Sequence, residues 1–229
     1  MIKKFLLTAL LAFGVPAQAQ LSTPGLSSSI KNMLNQMGTP APAPATGTKP
    51  ATPAKTVSLD FKPNAQVRQK AIKTFIDGFR TQAPQVAQEL EAGFKKVDIF
   101  AEADKETRQK FGVSVNNTAD MLAVYFSYVW LVARGDSGDA TKAQVQGISR
   151  QLKTIFSSPG ATPLTEVQKQ ETADALTLQT VFIGMITEAY KNEPDKLQEF
   201  GLALIESWKG QGFDLSQMEL TDNGFVRTQ

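Results

Sequence analysis

Apolar residues recur every three or four positions through most of residues 59–229. That spacing gathers them on one face of a helix. Ile72, Phe75, Ile76 and Phe79 align over a predicted helix at about 64–81. Val86, Leu90 and Phe94 align over a second, opened by Pro84, a residue well suited to a first helical turn. A third is predicted over about 98–110. A fourth starts near Asn117, with Asp120 three positions on, where a carboxylate suits the helix N-terminus. Its run MLAVYFSYVWLVA is apolar nearly all round and predicts a central helix wrapped by the others. Val145, Ile148, Leu152, Ile155 and Phe156 mark an amphipathic fifth helix at about 140–157. A long sixth is predicted over about 165–192. A seventh, opened by Pro194, carries Leu197, Phe200, Leu204 and Trp208 in line. No period-two strand pattern persists. The tail FDLSQMELTDNGF reads as extended or turn-like, with a turn signal at Asp222-Asn223-Gly224. The fold class expected is all-α, an antiparallel bundle of six to seven helices over 59–229.

Two stretches ahead of this domain are patterned differently. Residues 1–19 carry Lys3 and Lys4, an apolar run from Phe5 to Val15, then Pro16 and Ala17-Gln18-Ala19. That order predicts a cleaved secretory signal peptide, with cleavage after Ala19 and a periplasmic or secreted product. Residues 20–58 are expected to be a disordered tether rich in Pro, Ala and Thr, because GTPAPAPATGTKPATPAKT lacks the large apolar groups needed to bury surface. Within it, 26–37 is a short amphipathic segment with Leu26, Ile30, Met33, Leu34 and Met37 on one face. Alone it is too short for a stable helix in water, so it is expected as a weakly helical tail, with docking on the domain or on a partner as the other option.

The leader alters the charge. The full chain has 24 basic and 22 acidic residues, so loss of Lys3 and Lys4 leaves it neutral. No basic patch interleaved with aromatics remains, which argues against nucleic acid. No other stretch reaches the roughly 20 apolar residues that a membrane helix needs, so no transmembrane segment is expected after signal cleavage.

The chain contains no cysteine and no histidine. Disulfides, thiol chemistry, Ser-His-Asp triads and the usual zinc sites are therefore closed to it, and no cofactor or metal is expected. Carboxylate chemistry stays open. On a helical wheel, Leu164, Val167, Leu178, Phe182, Met185 and Ala189 form a stripe on the sixth helix, and Glu171 and Asp174 fall inside it. Arg68 falls among Ala65, Ile72, Phe75 and Phe79 on the first helix. An inward carboxylate has to be paired, hydrogen-bonded or protonated, so Arg68 is expected to pair with Glu171 or Asp174. Two readings follow. One is an inward ion pair that fixes helix register. The other is a catalytic acid and base, as glycan-cleaving enzymes use. The aromatic group Tyr125, Phe126, Tyr128 and Trp130 is expected to pack in or near the core.

Three segments carry a resemblance: Asn116-Asn117-Thr118-Ala119-Asp120 leading into Trp130, Gln168-Lys169-Gln170-Glu171, and Leu220-Thr221-Asp222-Asn223-Gly224-Phe225. Through them the domain resembles a bacterial family of exported proteins known only as a domain of unknown function. The resemblance implies a helical secreted domain and brings no activity, ligand or catalytic residue. The function expected is that of an exported non-enzymatic envelope module with an interaction or structural role. Its partner would be an unknown envelope protein or cell-wall component. The alternatives are a carboxylate-dependent cell-wall glycan hydrolase using Glu171 and Asp174, and a binder of small apolar ligands in a cavity near the fourth helix.

Overall fold

The computed structural model describes residues 28–37 and 57–228. Eight helices and one two-stranded sheet lie among them. The helices are α1 (Ser28–Leu34), α2 (Ala65–Arg80), α3 (Pro84–Lys96), α4 (Ile99–Phe111), α5 (Thr118–Val132), α6 (Lys142–Phe156), α7 (Glu166–Ala189) and α8 (Pro194–Lys209). A short 3-10 turn, Leu215–Gln217, leads into strands β1 (Met218–Thr221) and β2 (Gly224–Arg227). The predicted signal peptide at 1–19 and most of the predicted tether at 20–58 lie outside the described residues.

Local chemistry sets the helix starts. The side chains of Asn64, Asp98 and Asn117 each accept backbone N–H groups from the first turn of α2, α4 and α5. Thr141 and Thr165 close capping boxes with Gln144 and Gln168 at α6 and α7. Pro84 and Pro194 occupy first turns whose preceding residues make no side-chain cap. Gly112, in a left-handed conformation at φ 70°, ends α4.

The apolar helix α5 sits at the centre, against α6, α7 and α8. Every residue from Thr118 to Ser127 is buried. Around it the rings of Tyr125, Phe126, Trp208 and Phe213 meet edge-on or tilted, with Phe126 4.9 Å from both Trp208 and Phe213. The buried Trp208 Nε1 donates to Tyr125 Oη at 2.9 Å, which satisfies both polar ends. A second aromatic group, Phe75, Phe79, Phe94 and Phe182, joins α2, α3 and α7. At the α5 N-terminus, Asp120 accepts from Ser114 N, Ser149 Oγ and Lys153 Nζ, tying α5 to α6 and to the preceding loop.

Three features go beyond the sequence pattern. The tail forms a hairpin, with Met218 paired to Arg227 and Thr221 to Gly224 around Asp222-Asn223. It lies on α6, where Gln151 offers its side-chain amide to both the N–H and the carbonyl of Phe225, in place of a third strand. Gly147 makes this approach possible, because a Cβ there would run into the Asp222 and Gly224 backbone. The second feature is α1, which docks against α6 with Ile30, Leu34 and Met37 fully buried in the main core. The segment read as a weak tail is therefore part of the folded body. The third is α7. It is buried on several faces from Thr172 to Thr187 because α2, α4 and α5 all pack on it, so its apolar positions form no single stripe. Val167, placed on the predicted stripe, is 52% exposed in the first turn.

Candidate functional site

The three charged residues singled out by their inward spacing separate into two settings. Asp174 on α7 is fully buried, and its Oδ1 lies 3.6 Å from Arg68 Nε on α2. Glu171, one turn earlier, points outward and pairs with Lys70 at 2.8 Å, with 41% of its side chain exposed. The stripe thus turns outward at the start of α7, taking Glu171 with it. Arg68 and Asp174 are brought together; Glu171 and Asp174 do not share a groove.

Arg68 also donates from Nη2 to Asn116 Oδ1 at 2.7 Å, and its guanidinium lies 4.6 Å from the centre of the Phe100 ring. Gln170 links the start of α2 to the buried carboxylate. Its Nε2 donates to the Asn64 carbonyl and to Asp174 Oδ2, both at 2.9 Å, and its Oε1 accepts Asn64 N. Burial pushes the Asp174 carboxyl up to about 6, against the opposing pull of the Gln170 hydrogen bond and the Arg68 charge. At 3.6 Å the Arg68–Asp174 contact is too long for a hydrogen bond, and Nε and Oδ1 both lack one. This polar knot clamps α2, α7 and the loop before α5. It unites two of the segments that carry the resemblance, since Thr118 Oγ1 also donates to the Lys169 carbonyl.

Elsewhere, α4, α5 and α7 splay to leave a cleft of about 590 Å³. Phe111, Met121, Val124 and Met185 form an apolar floor and are themselves almost fully buried. Glu102, Lys105, Glu106 and Lys110 of α4, with the uncharged amide of Gln109, supply a polar and charged border. Lys110 is held by Glu106 and Asp139; burial opposes its charge, but those carboxylates raise its pKa on balance. Tyr128 donates to Asp139 Oδ1 at 2.6 Å, and burial first, then that carboxylate, hold the phenol well above its usual pKa. Lys105 makes no ion pair among the described residues. On α7, Thr180 and Gly184 sit one turn apart in the wall. Neither Glu171 nor Asp174 lines the cleft.

The model of a family of unknown function, DUF6683, matches residues 1–228. The chain belongs to that family. No curated protein and no solved structure matches it. Within this DUF6683 chain, no helix among the described residues is long and apolar enough to cross a membrane. Nor do the described residues gather three or more Asp or Glu side chains so as to hold a metal ion. The α5 wall of the cleft, from Met121 to Tyr128, is the apolar run that stood out in the sequence. Thr180 and Gly184 drew no notice there; the signal they offered was a glycine inside the apolar run VFIGMIT of a long helix.

Proposed function

We propose that the chain is exported, loses residues 1–19, and works as a non-enzymatic envelope module that holds a small, largely apolar molecule between α4, α5 and α7. The observation that carries this reading is the cleft. Its volume falls within the roughly 300–1,000 Å³ of small-molecule sites, and its lining combines an apolar floor with a few polar groups. The cleft lies against the central helix α5, which supports a ligand-binding reading. The absence of histidine and cysteine and the separation of Glu171 from Asp174 favour binding over catalysis. The Arg68–Asp174 pair serves as a clamp between α2 and α7 in this reading.

The test uses the full chain expressed with its leader and purified from the envelope fraction. Intact mass should show a product that starts at Gln20. The neutral fluorophore N-phenyl-1-naphthylamine should bind it, with emission rising as the probe leaves water. Ala103→Trp, which fills the cleft from α4, should abolish that rise while the unfolding midpoint stays near that of the parent. An uncleaved product refutes the export reading. Probe binding that survives Ala103→Trp refutes the cleft as its site.

A further inference from the structure

One helix of the body is seated by a single face. Ile30, Leu34 and Met37 of the α1 segment are fully buried in the main core. They stand at i, i+4 and i+7, the spacing with which an amphipathic helix fills an apolar groove. On the other side Asn32, Asn35 and Gln36 are exposed. The body builds the seat. Helix α6 packs against α1, and the turn after α8 comes up beside it at Gly212, where a Cβ would lie 3.2 Å from Asn35 Nδ2. The other buried residues of that core run from Leu59 to Phe225 and come from α2 through α8 and the hairpin. Nineteen residues, 38–56, separate Met37 from Val57 in the sequence.

A helix of seven residues does not hold its shape alone in water, so α1 is helical only while seated. The gain from burying three side chains is set against the ordering of the whole segment, which leaves a small margin. A segment docked on one face with a small margin leaves and returns by local opening while the rest of the fold stands. We infer that the seat of α1 is a helix-binding groove, occupied in cis by α1, that takes in its place a helical segment of another protein with large apolar residues at i, i+4 and i+7. The seated helix defines that chemistry: aliphatic or thioether side chains inward, uncharged amides outward. It also guards the groove, because a partner has to outcompete a segment of the same chain at an effective concentration of about 1 mM. None of the residues lining the cleft comes from α1, α6 or the turn after α8, so this inference is independent of the ligand-binding reading.

The test uses the full purified chain and a fluorescein-labelled peptide of residues 26–38, followed by fluorescence anisotropy. Leu34→Asp in the chain puts a charge where α1 is fully buried and should unseat it, leaving the body with one cooperative unfolding transition. The peptide should bind that variant with a Kd roughly tenfold or more below its Kd for the parent, whose groove is held by α1 in cis. The same peptide carrying Leu34→Asp should bind neither chain. In the parent, amides of residues 28–37 should exchange hydrogen by local opening, roughly a hundredfold or more faster than those of residues 121–128 in α5. Equal Kd values for parent and variant, or no binding to the variant, overturn the inference. A variant without a cooperative transition, or α1 amides protected as strongly as those of α5, makes α1 inseparable from the body and overturns it as well. A parent chain that is a dimer by light scattering, and a monomer once Leu34→Asp is introduced, makes the occupant a second copy and overturns the foreign partner.

Discussion

The same substitution, glycine to alanine, should have opposite signs at two positions in neighbouring helices. Gly201 lies in α8 where that helix crosses the end of α5. A Cβ built there would come well inside 3.0 Å of Ala133 N, Ala133 Cα and the Val132 carbonyl carbon. All three are backbone atoms, so none can swing aside as a side chain would. Relief requires α8 to shift away from α5, which also loosens Trp208 against Phe126. Overpacking of this kind costs about 1–3 kcal/mol, and a contact with backbone lies at the upper end. Alanine returns about 1 kcal/mol of helix propensity. The balance is a loss of about 2 kcal/mol, or roughly 4–8 °C in Tm at this chain length. At Gly184 the propensity gain meets no opposing contact, so Gly184→Ala should gain about 0.5–1 kcal/mol. Urea unfolding of parent and both variants, followed by far-UV circular dichroism, separates the outcomes. Gly201→Ala unfolding at or above the parental midpoint would refute the close α5–α8 crossing. A destabilised Gly184→Ala would refute the open space in the cleft wall.

Asp174 should make stability depend on pH. Its pKa is raised from 3.8 to about 6 in the fold, so its favourable contribution is complete below about pH 4 and is lost as pH rises through 6. The change amounts to about 3 kcal/mol, and Asp174→Asn should remove that slope from a series of urea midpoints; an unchanged slope would locate the proton elsewhere. Tyr125→Phe strands the buried Trp208 Nε1 donor and should cost about 1–3 kcal/mol by chemical denaturation, whereas a neutral result would mean that the indole finds another acceptor. Ile30→Ala should cost more than about 1 kcal/mol, because Ile30 is fully buried against the core. A free tail would give no change, so this variant tests the docking of α1 directly.

How far the sequence reached depends on the range of the interactions involved. Helix starts at Asn64, Pro84, Asn117 and Pro194 were legible because a cap or a proline acts on its own first turn. The central place of α5 was legible because an all-round apolar helix has only one place to go. The hairpin was not, beyond its turn, since strands of four residues are too short to establish an alternation. Docking of α1 rests on contacts with α6, over a hundred positions away, which no local pattern records. Asp174 and Glu171 looked alike on a helical wheel. They part because the wheel treats α7 as straight and packed on one side, while near its start the helix is buried at Lys169, Gln170 and Thr172 instead, which leaves the face of Val167 and Glu171 outward. The cleft was least visible, for a void belongs to three helices jointly and to no residue in particular.

The docking of α1 changes how the amino-terminal part of the sequence is tied to the body. Met37 and Val57 both pack on the same core, so the body holds the chain on both sides of the Pro/Ala/Thr-rich sequence rather than on one side only. Were the proposed cleavage after Ala19 to occur, eight residues, 20–27, would precede α1, a contour of at most about 28 Å. A leash over 20–58 would have spanned about 130 Å. Anything joined to the new amino terminus would therefore be held against the body. Lengthening a connection between two fixed points costs little, about 0.6 kcal/mol per doubling. Insertions there should leave both the fold and that short reach unchanged.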